Sequence, residues 1–125
     1  MEINIPEVVD EVSVAFACYE HAVVNNDVAV LDKLFWQSPH TIRYGATELL
    51  YGYDEIARFR AVRPASGLAR SVERQVITTF GRDFATASIH FQRNGRTGRQ
   101  MQTWVRMPEG WRVVTAHVSN MEEGK

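Results

Sequence analysis

From residue 70 onward the chain reads as four extended runs, 70–80, 84–93, 99–107 and 111–119, separated by three tight connections. Gly81-Arg82-Asp83 and Asn94-Gly95-Arg96 are hairpin turns, and Pro108-Glu109-Gly110 suits a type I turn with glycine at the bulge position. Connections this short cannot carry a crossover, so the runs must be antiparallel and sequential. Everything upstream therefore has to supply the layer that covers one face of that sheet.

The last turn predicts a register. If Met107 pairs with Trp111, Met101 lies opposite His117, Thr103 opposite Thr115 and Val105 opposite Val113. One face would then carry Met101, Thr103, Val105, Val113, Thr115 and His117, and the other Trp104, Val114, Ala116 and Val118. Both faces are substantially apolar. One covers the helices, and the other is expected to meet a second copy in a homodimer or higher homo-oligomer.

The upstream segment predicts three helices and a hairpin. Residues 6–25 form the first helix, with Asn4 as cap, Pro6 in the opening turn, and Glu7, Asp10 and Glu11 near the positive end of the dipole. Val8 or Val9, Val12, Phe16, Tyr19 and Val23 recur at spacings of three and four, which turns Tyr19 inward. Asn25-Asn26 ends this helix, and Asp27 caps a second through Val28, Val30, Leu31, Leu34 and Phe35, stopped by Ser38-Pro39. Runs 40–44 and 48–51 flank Gly45-Ala46 as a hairpin in which Gly45 supplies the turn conformation. Asp54 and Glu55 open a third helix, with Ile56 and Phe59 as its apolar contacts, that runs to about Arg63 and is ended by Pro64.

At 125 residues this is one domain, and a net charge of -1 with a pI near 6.4 argues against a dedicated binder of nucleic acid or membrane surfaces. The lone Cys18, on the first helix, is expected to be a small buried hydrophobe outside any disulfide framework. No basic leader with an apolar core opens the chain and no apolar run reaches membrane-spanning length, so a cytoplasmic location is expected.

The chemistry concentrates on Arg43. It lies within an apolar strand that offers no carboxylate, and a guanidinium that cannot shed its proton must meet an anion or a ring of carbonyls if it points inward. The alternative is that it reaches out to solvent or pairs with a distant Glu. Tyr19 faces the same interior, and beside a cation a phenol becomes more acidic and a better proton donor. His40, His90 and His117 lack the spacing of a zinc site, so no metal is expected. His117 on the closing strand reads first as a hydrogen-bonded core residue, and Ser119 as half of a pocket-wall hydrogen-bond pair without an acid to complete a triad. Gln102 and Trp104 line either the pocket or an interface. Arg58, Arg60, Arg63, Arg70 and Arg74 read as a solvated basic face, with the sharper alternative that Arg70 leans over the pocket mouth and draws dianions in.

The order helix, helix, hairpin, helix, four strands resembles the nuclear transport factor 2-like (SnoaL-like) superfamily, as do Leu49 to Phe59 and Trp111-Arg112-Val113-Val114-Thr115-Ala116-His117-Val118-Ser119. That resemblance implies a single α+β cone over residues 1–125, three helices on a curved, mainly antiparallel sheet. Asn26-Asp27-Val28, Leu34-Phe35-Trp36, Arg43-Tyr44-Gly45, Gly81-Arg82-Asp83-Phe84-Ala85-Thr86-Ala87 and Gly110-Trp111-Arg112-Val113-Val114 are similar to a small bacterial family of oxalurate and cyanuric-acid catabolism. This closer resemblance implies a cofactor-free, decarboxylating amidohydrolase that turns 1,3-dicarboxyurea, a small anionic urea, into allophanate. It makes Tyr19 and Arg43 the catalytic candidates, with Arg70, Trp104, His117 and Ser119 as candidate substrate-binding residues. The competing class is a non-catalytic association or small-anion-binding module, since the association domain of calcium/calmodulin-dependent protein kinase belongs to the same superfamily. An isomerase of the ketosteroid type is a weaker third, because it wants a carboxylate base.

Overall fold

The four C-terminal runs become β3 (Ser71–Phe80), β4 (Phe84–Arg93), β5 (Arg96–Met107) and β6 (Gly110–Asn120) in a computed structural model that describes residues 1–122. They follow α1 (Pro6–Val24), α2 (Val28–Leu34), the short strands β1 (Ile42–Tyr44) and β2 (Leu49–Tyr51), and α3 (Tyr53–Val62). The sheet order is β2-β1-β6-β5-β4-β3. Every neighbouring pair is antiparallel except β1–β6, where Arg43 lies beside Ala116 in parallel register, so the sheet is mixed. The three helices cover its inner face, an α+β cone.

Helix α1 buries the stripe its spacing predicts: Val8, Val12, Phe16, Tyr19 and Val23 are all in the core. Two expectations for this helix fail. Asn4 does not cap it. It takes a positive φ of 60°, its side chain accepts a 2.9 Å hydrogen bond from the Thr79 amide, and Ile5 occupies the cap position. Cys18 is exposed, because a helix that covers a sheet along one stripe leaves the flank next to Tyr19 in solvent. Asp27 does cap α2, accepting a 3.2 Å bond from the Val30 amide.

Two details of the strands also differ. Gly45 is not among the glycines with positive φ; a Cβ there would instead overlap the Glu48 carboxylate, which would have to shift from its place beside Arg43. The β5–β6 register holds at Met101–His117 and Thr103–Thr115, then shifts, so that Trp104 pairs with Val113 and Met107 with Gly110. Val114 is the extra residue of the bulge, and the shift turns Val113 onto the inner face, where it is fully buried.

Register then sorts the two faces. Ile77, Ala87, Gln102, Ala116, Arg43 and Leu50 form one cross-strand row on the inner side. Val76, Ser88, Met101, His117, Tyr44 and Leu49 form the corresponding outer row, and Val76, Met101 and Leu49 are exposed in it. The core under the helices is built on Phe16, Phe35, Ile56, Phe91 and Trp104, with the amides of Gln100 and Gln102 buried among them.

Candidate functional site

Because β1 lies in register with β6 and Arg43 with Ala116, the Arg43 side chain enters the space between the sheet and the helices. Tyr19 of α1 reaches the same space, and so do Arg60 and Arg63 of the third helix and its end. Leu68 and Arg70 come from the connection to β3, Arg93 from the end of β4, and Gln100 from β5. Together they enclose a cavity of ≈ 40 Å³, completed by Val23, Leu31 and Val118. Wider clefts exist, one of ≈ 670 Å³ along Gln37–Pro39, Tyr51–Glu55 and Arg58, but it is an open groove whose charged residues, Asp54, Glu55 and Arg58, are of mixed sign.

Five guanidinium groups line this cavity, and four of them, all but Arg63, have an aromatic ring and a polar partner to hold them. Arg43 donates to Glu48 at 2.8 Å and lies 5.3 Å from the Phe59 ring centroid. Arg60, only 3% exposed, stacks 4.1 Å over Phe35 and donates to Asp32 at 3.1 Å. Arg70 grips Glu20 with two bonds, Nε to Oε2 at 2.9 Å and Nη2 to Oε1 at 2.6 Å, and stacks 4.4 Å over Phe91. Arg93 stands 5.4 Å from the same ring and donates to the Leu68 carbonyl at 2.9 Å. Arg63 forms no ion pair among the described residues, and neither does Arg93.

The electrostatics follow from crowding like charges out of water. Burial, and then the guanidinium of Arg43, lowers the pKa of Arg63. Burial and then Arg70 do the same to Arg93, and burial lowers Arg60. Arg70 goes the other way. Burial works against its charge, but the hydrogen bonds it donates to Glu20, together with the carboxylate's charge, outweigh it and the net shift is upward. With three carboxylates, of Glu20, Asp32 and Glu48, against five guanidiniums, the cavity carries an excess of two positive charges.

Tyr19 sits against this cluster with its ring wedged between Phe16 at 5.9 Å, Phe35 at 6.3 Å and Trp104 edge-on at 6.4 Å. Its hydroxyl donates to Gln100 Oε1 at 3.5 Å, a long bond. The amide orientation is dictated by chemistry. Arg70 can only donate, so the oxygen of Gln100 must face it, accepting at 3.3 Å and 3.4 Å, and the phenol shares that oxygen as a further donor.

The structure therefore brings Tyr19, Arg43 and Arg70 together and separates the other candidates. Trp104 does not line the cavity; it backs Tyr19, with its indole N–H donating to Gln102 Oε1 at 3.0 Å. His117 is no core residue. It is exposed on the outer face, edge-on to Tyr44 at 5.7 Å, and Ser119, opposite Arg99, points the same way. The basic stretch splits likewise: Arg58 and Arg74 are solvated, whereas Arg60, Arg63 and Arg70 turn inward. Nor does Arg43 lack an acid, since Glu48 folds back onto it across the hairpin.

Arg60 and Arg63 read in the sequence as part of a solvated basic face, and Arg93, Gln100 and Glu20 went unnoticed there, yet the three arginines left a signal. Arg60 and Arg63 stand four and seven residues after Ile56, on the same helix face. Arg93 continues the alternation Ala85, Ala87, Ile89, Phe91, all of them buried. No cluster of His, Cys, Asp and Glu suited to a metal ion occurs among the described residues, and no described helix is long and apolar enough to cross a membrane.

Glu48 makes a pH prediction. Burial pushes its carboxyl up, but hydrogen bonds from Arg43 and Thr47 more than offset that and hold it below the ordinary value of 4.5. A depressed carboxyl stabilises the folded state above its unfolded pKa and loses that contribution as pH falls through the folded one. Wild type should therefore melt above Glu48→Gln near neutrality, and the gap should close only below pH 4.5. A gap that stays constant across a melting series into acid would contradict the Arg43 pairing.

A family model described as AtzH-like matches residues 1–124. A solved structure from Pectobacterium atrosepticum, of unknown function and from the DUF3225 family, is 56% identical, with 96% of this chain and 95% of that one covered and a TM-score of 0.94. A cystatin-like fold protein from Burkholderia xenovorans is 43% identical over 99% of both chains, also with a TM-score of 0.94. A nuclear transport factor 2-like superfamily protein from Salmonella enterica, 24% identical over 95% and 93% of the chains with a TM-score of 0.74, shares the fold. No curated protein matches.

Proposed function

Starting from a chain that belongs to the AtzH-like family, we propose that it is a cofactor-free decarboxylating amidohydrolase acting on an N-carboxylated urea, 1,3-dicarboxyurea, to give allophanate. The observation that carries this reading is the Tyr19 hydroxyl at the wall of a buried cavity with surplus guanidinium charge. A dicarboxylated urea is small, flat and twice negative, and it presents the planar carboxylates that guanidiniums bind as a fork.

The reaction asks little of the protein. The C–N bond to one carboxylate breaks, its electron pair stays on nitrogen, carbon dioxide leaves, and that nitrogen takes a proton. Arg43 anchors a carboxylate through Nε and Nη2, which its single bond from Nη1 to Glu48 at 2.8 Å leaves available. Tyr19 supplies the proton, because its 3.5 Å bond to Gln100 is weak enough to exchange for a nearer nitrogen, and solvent returns the proton afterwards. Excluding bulk water strengthens both interactions. A cavity of ≈ 40 Å³ holds only a few waters, so substrate enters as the arginine arms and Leu68 draw aside.

The test is carbon dioxide release from 1,3-dicarboxyurea with purified protein. Acceleration over the uncatalysed loss supports the reading. No acceleration by a protein that still binds small dianions would make it a binding module instead.

The same reading includes a second copy of the chain on the outer sheet face. Met101 is 65% exposed and Phe84 52% exposed there, and the rows Val76 to Leu49 and Thr86 to Tyr51 carry no Asp, Glu, Lys or Arg. Two such faces meet through these central rows, with the flanking cations Arg74, Arg99 and Arg112 left at the rim. Light scattering at micromolar concentration should report at least a dimer, and a clean 14.3 kDa species would exclude it.

A further inference from the structure

We propose that Arg63 and Arg93, with the Gln100 amide, form a second anion subsite in the cavity of Tyr19 and Arg43, and that this subsite selects dianions over monoanions. The inference rests on the proposed function only in deepening it, since it names what that site must bind.

The argument is an account of donors. Arg43, Arg60 and Arg70 each have a carboxylate. Nε and Nη2 of Arg63 and Nε of Arg93 are buried with no hydrogen-bond partner. Gln100, 4% exposed, spends its oxygen on Arg70 and Tyr19 and leaves its Nε2 without an acceptor. Every unmet group on these cavity-lining side chains is therefore an N–H donor. A neutral ligand would leave two cations uncompensated, and a guanidinium cannot escape by losing its proton. A monoanion answers only one of them. A ligand with two carboxylates supplies acceptors and matches the surplus of two charges left by Glu20, Asp32 and Glu48.

The fold explains why these two residues stand uncompensated. Arg63 is the residue after α3, placed by the Ile56–Arg60 face, and Arg93 is the last residue of β4, held at the rim by the Leu68 carbonyl. Neither forms an ion pair among the described residues: Glu48 and Glu20, whose charges reach Arg63 and Arg93, pair with Arg43 and Arg70 instead.

Titration calorimetry with malonate and acetate on the full chain tests this without any turnover. Wild type should bind malonate about 100-fold more tightly than acetate, since each charge-assisted fork is worth about tenfold or more. Arg63→Gln and Arg93→Gln should each weaken malonate about tenfold and leave acetate within about twofold. Arg63→Lys and Arg93→Lys keep the charge and lose the fork, and they should fall between wild type and the Gln variants. Equal affinity of wild type for the two probes overturns the subsite, as does a loss of both probes in parallel. Melting curves on the same samples identify any variant that fails to fold, in which case the wild-type ratio and the Lys variants decide. The outcomes stay separate from those for the activity: a malonate preference without carbon dioxide release sinks the decarboxylase and keeps the subsite. Turnover by a wild type with no malonate preference does the reverse.

Discussion

Tyr19→Phe should lose roughly 10²- to 10⁴-fold in turnover of an N-carboxylated urea while binding small dianions nearly as well as wild type. The substitution removes one oxygen and keeps the ring, whose contacts with Phe16, Phe35 and Trp104 at 5.9, 6.3 and 6.4 Å hold it in place. The lost hydrogen bond is the long one to Gln100 Oε1, and that oxygen keeps its two bonds from Arg70. Stability should therefore fall by no more than about 1 kcal/mol. Rate and melting temperature measured on one preparation separate proton delivery from packing. Full turnover in the variant would move the protonation step to solvent, with Arg43 acting alone.

Replacing Arg43 with Lys should cost on the order of 2 kcal/mol in kcat/KM, about thirtyfold, because the charge survives and the planar fork does not. Part of the loss comes from Phe59, whose ring faces the guanidinium at 5.3 Å and offers a compact ammonium a poorer contact. Glu48 makes the result diagnostic. If Arg43 serves only to close the hairpin against Glu48 at 2.8 Å, the Lys variant should melt lower and turn over normally per folded molecule. If it anchors substrate, kinetics should change far more than the melting temperature.

The elements of this protein were legible because each is decided by local chemistry. Three short turns force β3 to β6 into an antiparallel row, and the three- and four-residue spacing along α1 turns Tyr19 inward. Hairpin periodicity put Arg43 in a strand, but which face it would take depended on β1 docking parallel to β6, a contact between residues over seventy positions apart. No local pattern encodes that.

The bulge at Val114 shows the limit most plainly. A single skipped residue reverses the side of everything before it in β6, so Val113 is core while His117, four residues on, is exposed. The register expected from the turn fails beside the turn itself, where Met107 pairs with Gly110 and Trp104 with Val113 so that Trp104 packs against Tyr19, and holds only beyond the bulge. Arg60, Arg63 and Arg93 carried inward periodicity in plain view, yet charge argued for solvent, and the sequence had no means of showing that Phe35 and Phe91 would receive them. The sequence by itself determined the order and nature of the elements and the inward Tyr19. The tertiary structure alone decided which cations converge, since compensating a buried guanidinium takes rings and carboxylates from distant parts of the chain, as Glu20 does for Arg70.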